Sequence, residues 1–209
     1  MKTLILYAHP FETSFNHAVL EVVKGTLKSH QAEVVVRPLY QLNFQPIASP
    51  TDFEALTAGE TRADVREEQD WVQWADGIIL IYPVWWTGMP AILKGYFDRV
   101  FTPGFAYRYE DGIKHRLLQG KQGLIFSTTG ATREACEKGM FEAMNRTVDE
   151  GIFQFSGIAV RGHHYMSNLP GSTAEEREKM LLEVEQKVTE LFYPSVVSRS
   201  KGLTASGCF

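Results

Sequence analysis

The sequence predicts an α/β protein whose five strands form one doubly wound parallel sheet in the order 2-1-3-4-5. Three observations carry that reading. Short apolar runs at residues 4–8, 34–36, 78–82, 123–127 and 155–160 alternate with longer segments of helical period. The clearest runs, Leu4-Ile5-Leu6 and Ile78-Ile79-Leu80-Ile81, are continuously apolar rather than alternating, as strands covered on both faces are. No internal repeat interrupts the pattern, and 209 residues with 44% hydrophobic content suffice for one compact domain, read here as residues 1–194. This strand order sets the carboxyl ends of strands one and three on either side of a crevice, where neighbouring connections leave in opposite directions.

In chain order, strand one leads through His9-Pro10-Phe11-Glu12-Thr13 into a helix over 14–30 with Ser14 as its N-cap. Strand two precedes an irregular stretch, 41–59, that contains Pro46 and Pro50; a helix over 61–75, capped by Thr61, then reaches strand three. Strand three ends in Tyr82-Pro83-Val84-Trp85-Trp86-Thr87-Gly88-Met89-Pro90, and a helix over 90–100 follows. Residues 102–118, aromatic and charged with Pro103, Gly104 and Gly112, read as a second long loop, and long loops in compact domains are usually functional or mobile. Strand four ends in Ser127-Thr128-Thr129-Gly130-Ala131-Thr132 before a helix over 133–150, and strand five is followed by His163-His164-Tyr165. The last helix, 173–191, opens with Thr173 and Glu176 at capping-box spacing. Residues 195–209, rich in Ser, Gly and small side chains, read as a flexible tail or as an arm reaching a partner subunit.

Charge and composition exclude several classes. A net charge of -4 argues against nucleic acid or an anionic membrane as the main partner, which leaves a small or neutral one. No apolar run approaches the roughly 20 residues of a membrane span, and Met1-Lys2 leads into strand one rather than into a signal h-region, so a cytoplasmic protein without membrane insertion is expected. Cys136 and Cys208 are the only cysteines, too few for a disulfide framework or a four-ligand zinc site, and both are expected reduced. His163 and His164 lack carboxylate or cysteine partners at ligand spacing and read as surface or interface residues; no metal is expected. Trp71 and Trp74, three apart on a helix, read as core or dimer contacts, Glu175 to Lys179 as a solvated helix face, and Asp98-Arg99 as a local ion pair.

Three strand-end loops carry the chemistry. After strand one, the free N–H groups of a helix start, with Thr13, Ser14 and Asn16 as side-chain donors, can cradle a phosphate, although Ser14 serves equally as an ordinary N-cap. After strand three, Trp85 and Trp86 between prolines form a stiff aromatic wall. After strand four, Thr128, Thr129 and Gly130 can present backbone N–H groups to a polar ring edge, or form a simple turn. Together these loops would line one crevice with a phosphate cradle, an aromatic wall and polar donors, a combination that suits a flavin.

The segments His9 to Asn16, Leu39 to Ile47, Pro83 to Tyr109 (with Met89-Pro90-Ala91-Ile92-Leu93-Lys94-Gly95-Tyr96-Phe97-Asp98-Arg99) and Thr128-Thr129-Gly130 resemble the NAD(P)H:quinone oxidoreductases, the flavodoxin-like DT-diaphorase group and its smaller bacterial relatives. The resemblance covers most of residues 1–160. It implies a flavodoxin-like fold and a flavoprotein homodimer that takes a hydride from NAD(P)H and passes two electrons to a quinone in ping-pong fashion. It also implies that His9, Thr13, Ser14, Phe15 and Asn16 lie by the phosphates and ribityl chain, and Pro83, Val84, Trp85, Trp86 and Thr87 along the isoalloxazine. Thr128, Thr129 and Gly130 would take its polar edge, and Tyr107 and Tyr109 the substrate pocket, with Phe101 to Tyr109 completing the partner's site. FAD is the implied cofactor, with FMN the alternative because the segment 47–60 is shorter than in the animal enzymes. Those enzymes carry a tyrosine and a histidine shortly after the Thr-Thr-Gly loop; residues 131–140 here contain neither, and no catalytic residue is assigned. Two other readings stay open: a flavodoxin-type electron carrier, against which the long aromatic loop and near-neutral charge weigh, and an ancillary flavoprotein of a potassium efflux system.

Overall fold

The structure, a computed structural model, describes residues 1–192. Its elements in chain order are β1 (Lys2–Tyr7), α1 (Phe15–Ser29), β2 (Glu33–Pro38), α2 (Pro50–Thr57), α3 (Ala63–Trp74), β3 (Gly77–Pro83), α4 (Ala91–Val100), β4 (Tyr107–Glu110), β5 (Ile113–Arg116), β6 (Gln122–Thr128), α5 (Arg133–Glu137), α6 (Met140–Met144), a π-helical stretch Asn145–Gln154, β7 (Ala159–Met166) and α7 (Ala174–Phe192). The parallel sheet runs β2-β1-β3-β6-β7, the order the sequence predicts.

Side-chain alternation along the central strands divides the core into two layers. Ile5, Tyr7, Ile79, Ile81, Leu124 and Phe126 face α1 and α7, meeting Val19, Val23 and Leu27, and Val184 and Val188, at helical spacing. Leu4, Leu6, Ile78, Leu80, Tyr82 and Ile125 face the opposite layer of Val72, Leu93, Tyr96, Phe97, Val100, Val148 and Phe153. Every residue of β3 is buried, which explains its unbroken apolar run. Among the described residues no helix is long and apolar enough to cross a membrane.

Several boundaries differ from expectation, each for a local reason. The fifth strand is Ala159–Met166, not 155–160. Phe153 and Ile158 pack where Gly123 lacks a side chain: a Cβ there would sit 2.4 Å from the Phe153 ring. The apolar residues that suggested a strand therefore belong to the covering layer, and the true strand is the polar edge of the sheet. The helix expected over 133–150 breaks at Gly139, which takes a φ of 128°, and resumes with a π-helical second half. The stretch 41–59 contains α2, with Pro50 at its start and Ser49 and Asp52 as a capping box. The stretch 102–118 contains the hairpin β4–β5, whose turn residues Asp111 and Gly112 both have positive φ. Helix α3 is preceded by Arg62 rather than Thr61, whereas Ser14 caps α1 and Thr173 and Glu176 form their capping box as expected.

Arg99 does not pair with Asp98. Its guanidinium turns inward, 3% exposed, onto Asp52 and Asp64 at 2.7 and 2.8 Å and the Gln45 carbonyl at 2.8 Å, while Asp98 pairs with Lys94. This cluster pins the 41–64 segment to α4. Trp71 and Trp74 pack edge to face, 5.8 Å apart, beside the second core layer. Cys136 is a buried free thiol; Cys208 and the expected tail at 195–209 lie outside the described residues.

Candidate active site

The loops after β1, β3 and β6 leave one edge of the sheet and are tied to one another. Asn16 Nδ2 donates to Thr128 Oγ1 at 2.8 Å, linking the first turn of α1 to the end of β6. The Val84 amide donates to the Thr128 carbonyl at 2.7 Å, and the Thr129 amide to the Met166 carbonyl at 2.9 Å. Asn16, Thr128 and Thr129 are all buried.

In loop one, Ser14 has extended backbone and its Oγ accepts from the His17 amide at 3.2 Å, so it is an N-cap. Capping does not consume the helix start: the Phe15 and Asn16 amides have no partner among the described residues. Asn16 Oδ1 is likewise buried without a donor. His9 is half-buried with Nδ1 3.1 Å from the Phe11 amide, and burial outweighs the Phe11 contact to push its pKa down. Thr13 is exposed, and Phe15 packs beside the α1 core layer.

Loop three is a tight turn under strain. Trp85 and Gly88 exchange both backbone hydrogen bonds, at 2.9 and 3.0 Å, and the two residues between them, Trp86 and Thr87, have φ of 51° and 59°. Positive φ at both central positions is the geometry of a type I′ turn, normally filled by Asn or Gly. Holding a tryptophan and a β-branched threonine there costs on the order of 1–2 kcal/mol each. Among the described residues the Trp86 and Thr87 amides have no partner, and the turn stands both indoles outward, Trp86 fully exposed and Trp85 45% exposed. Pro83 is buried and Val84 half-buried at its base. The strained backbone, more than the indoles, is what sequence reading misses here.

In loop four, Thr129 is anchored on both sides: its carbonyl accepts from Leu169 and its Oγ1 from the Ala131 amide at 3.1 Å. Gly130 is exposed and its amide has no partner among the described residues. Three loops thus present amides without a partner among the described residues: Phe15 and Asn16, Trp86 and Thr87, and Gly130. The aromatic pair from the hairpin stays together edge to face, ring centroids 6.1 Å apart, but differs in exposure. Tyr107 is half-buried, its ring 5.0 Å from Phe155, whereas Tyr109 is 62% exposed.

One cluster was read wrongly from sequence. His163 lies within β7, its side chain 2% exposed, with Nδ1 2.8 Å from Asp149 and Nε2 3.1 Å from Ser127 Oγ. Tyr165 stacks on it and donates to Asn145 Oδ1 at 2.7 Å. Asp149 and Asn145 both come from the π-helical stretch, so the cluster fastens that stretch to the sheet edge. Burial, reinforced by Asp149, raises the Tyr165 pKa, and burial with Tyr165 and Asp149 raises that of Tyr82, so both hydroxyls stay protonated. The hydrogen-bonded series Ser127–His163–Asp149 has the layout of an activated nucleophile, but Ser127 is completely buried and no substrate carbonyl reaches it. His164 points to the other face, stacked on Phe126, where burial together with Lys187 and His163 pushes its pKa down to about 4. No signal in the sequence spacing reveals these partners, since Asp149 and Ser127 are distant in the chain. Among the described residues, no group of three histidine, cysteine or acidic side chains could hold a metal ion.

A family model described as flavodoxin-like fold matches residues 1–188. The Haemophilus influenzae protein named uncharacterized NAD(P)H oxidoreductase is 38% identical over 160 residues, 76% of this chain and 79% of its own length. Ribosyldihydronicotinamide dehydrogenase (quinone) of Mus musculus is 32% identical over 91% of this chain and 92% of its own. The solved NAD(P)H:quinone oxidoreductase of Methanothermobacter marburgensis superposes with a TM-score of 0.82 at 30% identity, covering 92% of this chain and 98% of that one. By that match and these identities, the chain belongs to the flavodoxin-like fold family, among its NAD(P)H and quinone oxidoreductases.

Proposed function

We propose that the chain is a flavin-dependent NAD(P)H:quinone oxidoreductase, catalysing NAD(P)H + H⁺ + quinone → NAD(P)⁺ + hydroquinone. The observation that carries this reading is the set of amides without a partner among the described residues, on three loops joined through Thr128, beside two outward-standing indoles. The residues fit a flavin. Phe15 and Asn16 amides at the start of α1 suit its phosphate, and the buried Asn16 Oδ1, without a donor, suits a ribityl hydroxyl. The Trp86, Thr87 and Gly130 amides suit the carbonyl and nitrogen edge of the ring. Pro83, Val84, Trp85, Trp86 and Thr87 would border that ring, with His9, Thr13, Ser14, Phe15, Thr128 and Thr129 supporting it.

A flavin held by these residues would supply the redox chemistry, passing the hydride equivalent of the nicotinamide on to the quinone, with the second proton being the H⁺ of the overall equation. The chain's own part is to orient, to exclude water and to hold negative charge. Amides fixed before reaction stabilise charge at the ring edge without reorganising, which is where preorganised donors act most strongly. One flat slot admits one ring at a time, and ping-pong exchange follows. No side chain is assigned as proton donor. FAD is the proposed flavin, with FMN the alternative. Tyr109, exposed on the β4–β5 hairpin, supports a homodimer in which Tyr107 and Tyr109 complete the partner's slot. A cytoplasmic reaction follows from the need for NAD(P)H.

Acid release of the cofactor, its identification by mass, and NADH and NADPH oxidation with menadione test the proposal. One flavin per chain and menadione-dependent turnover are expected. A colourless chain that no flavin reconstitutes ends the reading.

A further inference from the structure

Residues 145–154 keep π-helical hydrogen bonding over ten residues, a geometry that is rare, mostly confined to single turns, and frequent at functional sites. Thr147, Gly151 and Ile152 of this stretch form one wall of a cavity of about 730 Å³, whose end is closed by Thr87, Gly88 and Met89. We propose that His163 is a positioning residue for quinone reduction: through Asp149 it holds this wall in its π form, and so sets the shape of the cavity beside the Trp85–Gly88 turn while touching neither flavin nor substrate. The inference rests on the quinone reductase reading and adds to it a residue that acts through another.

The burial pattern calls for the π form. Val148 and Phe153 are the buried residues of the stretch. Five positions apart, they would stand about 140° from each other on an α-helix of 3.6 residues per turn, but lie nearly in line when each hydrogen bond spans five residues. Phe153 is fixed at one end by the notch that Gly123 leaves in the sheet. The His163 cluster fixes the other. Asp149 Oδ1 lies 2.8 Å from His163 Nδ1, and Asn145 Oδ1 accepts from the Tyr165 hydroxyl at 2.7 Å, which itself lies 3.0 Å from the same Nδ1. A carboxylate only accepts, so Nδ1 carries the hydrogen, and in the neutral ring Nε2 accepts from Ser127 Oγ at 3.1 Å, with the Tyr82 hydroxyl at 3.5 Å. Tyr82 and Ser127 are register partners, and the residues after them, Pro83 and Thr128, lead into the loops that would border the flavin. One imidazole thus joins the cavity wall to the two strands that carry those loops. Asp149 has no other side-chain partner among the described residues. Removing its donor frees the carboxylate to turn toward water and lets the backbone around it return to the commoner α-helical ladder, which rotates Thr147 and Ile152 relative to the cavity.

Side-chain amides separate the two ring nitrogens. His163→Asn sets an N–H where Nδ1 stands and keeps the Asp149 contact, whereas His163→Gln reaches the place of Nε2 and loses it. In the flavin-free protein, amide hydrogen exchange across 145–154 should be about tenfold faster in His163→Gln, stay within about twofold in β1 and β3, and match the parent in His163→Asn. In the flavin-loaded protein, KM for menadione should rise about tenfold in His163→Gln with kcat within about twofold, the mark of lost positioning rather than lost chemistry, and His163→Asn should keep the parent's KM. If His163→Gln does not fold, Tyr165→Phe, which removes the hydroxyl shared by Asn145 and His163, should speed exchange across 145–154 and raise KM about threefold each. Exchange at the parent's rate, exchange that rises equally through β1 and β3, or an unchanged KM beside a loosened 145–154 overturns the proposal and leaves the reductase reading standing. A His163→Asn variant that behaves like His163→Gln overturns it as well. Conversely, a parent protein that turns over no quinone refutes the reductase reading, while faster exchange confined to 145–154 in His163→Gln keeps His163 as the clamp of the wall.

Discussion

Thr87→Gly separates the stability of the fold from the demands of the site. Thr87 is exposed and holds a φ of 59°, so its side chain contributes little packing while its backbone stores strain. Left-handed backbone costs an L-residue on the order of 1–2 kcal/mol, and glycine removes that cost. Glycine also widens the unfolded ensemble, which takes back roughly 0.4–1 kcal/mol. The net is a flavin-free protein more stable by about 0.5–1 kcal/mol, which for a chain of this size raises Tm by roughly 1–4 °C. Flavin retention moves the other way, because a glycine turn holds the Trp86 and Thr87 amides less firmly. Calorimetric melting of the flavin-free protein and flavin titration read the two effects separately. Thr87→Ala is the control: it removes the same side-chain contacts without relieving φ, and should not raise Tm. A lower Tm for Thr87→Gly, or an equal rise for the alanine, would refute strain as the turn's defining property.

Three further outcomes follow from other contacts. Burial alone would raise the Asp52 carboxyl, but Arg99 and Ser49 override it and hold the pKa down at about 2 against an ordinary 3.8. A depressed carboxylate stabilises fully above its unfolded pKa. The stability difference between parent and Asp52→Asn, on the order of 2 kcal/mol at neutral pH, should therefore persist above about pH 4 and vanish as pH falls toward 2 in denaturant titrations. Gly95→Ala places a Cβ 2.1 Å from the Pro46 carbonyl oxygen, so it should destabilise by roughly 1–3 kcal/mol where an open helix would gain; a higher Tm contradicts that packing. Trp86→Ala, at a fully exposed site, should change folding stability by less than about 0.5 kcal/mol yet weaken flavin binding at least tenfold, and equal affinities would show that the indole faces no ligand.

The central strands and their order are legible in sequence because burial on both faces leaves unbroken apolar runs, as in β1 and β3. Edge strand β7 hides for the opposite reason. Its His163 and Tyr165 are satisfied by Ser127, Asp149 and Asn145, partners that only tertiary structure supplies. Two missed elements did carry local signals: Asp111-Gly112 is a type I′ hairpin turn, and Ser49-Pro50-Thr51-Asp52 is a capped helix start. At the candidate site, residue types mark the three loops, but the strain at Trp86 and Thr87 is invisible, since neither residue ordinarily occupies that backbone region. Arg99 likewise finds Asp52 and Asp64 across the fold rather than its chain neighbour Asp98.

Calorimetric titration of the flavin-free protein with FAD and with FMN is the most direct measurement. Saturable binding of one flavin per chain is predicted, weakened by Trp86→Ala and by Thr87→Gly. A folded chain that binds neither flavin would contradict the assignment of the three loops as a flavin site.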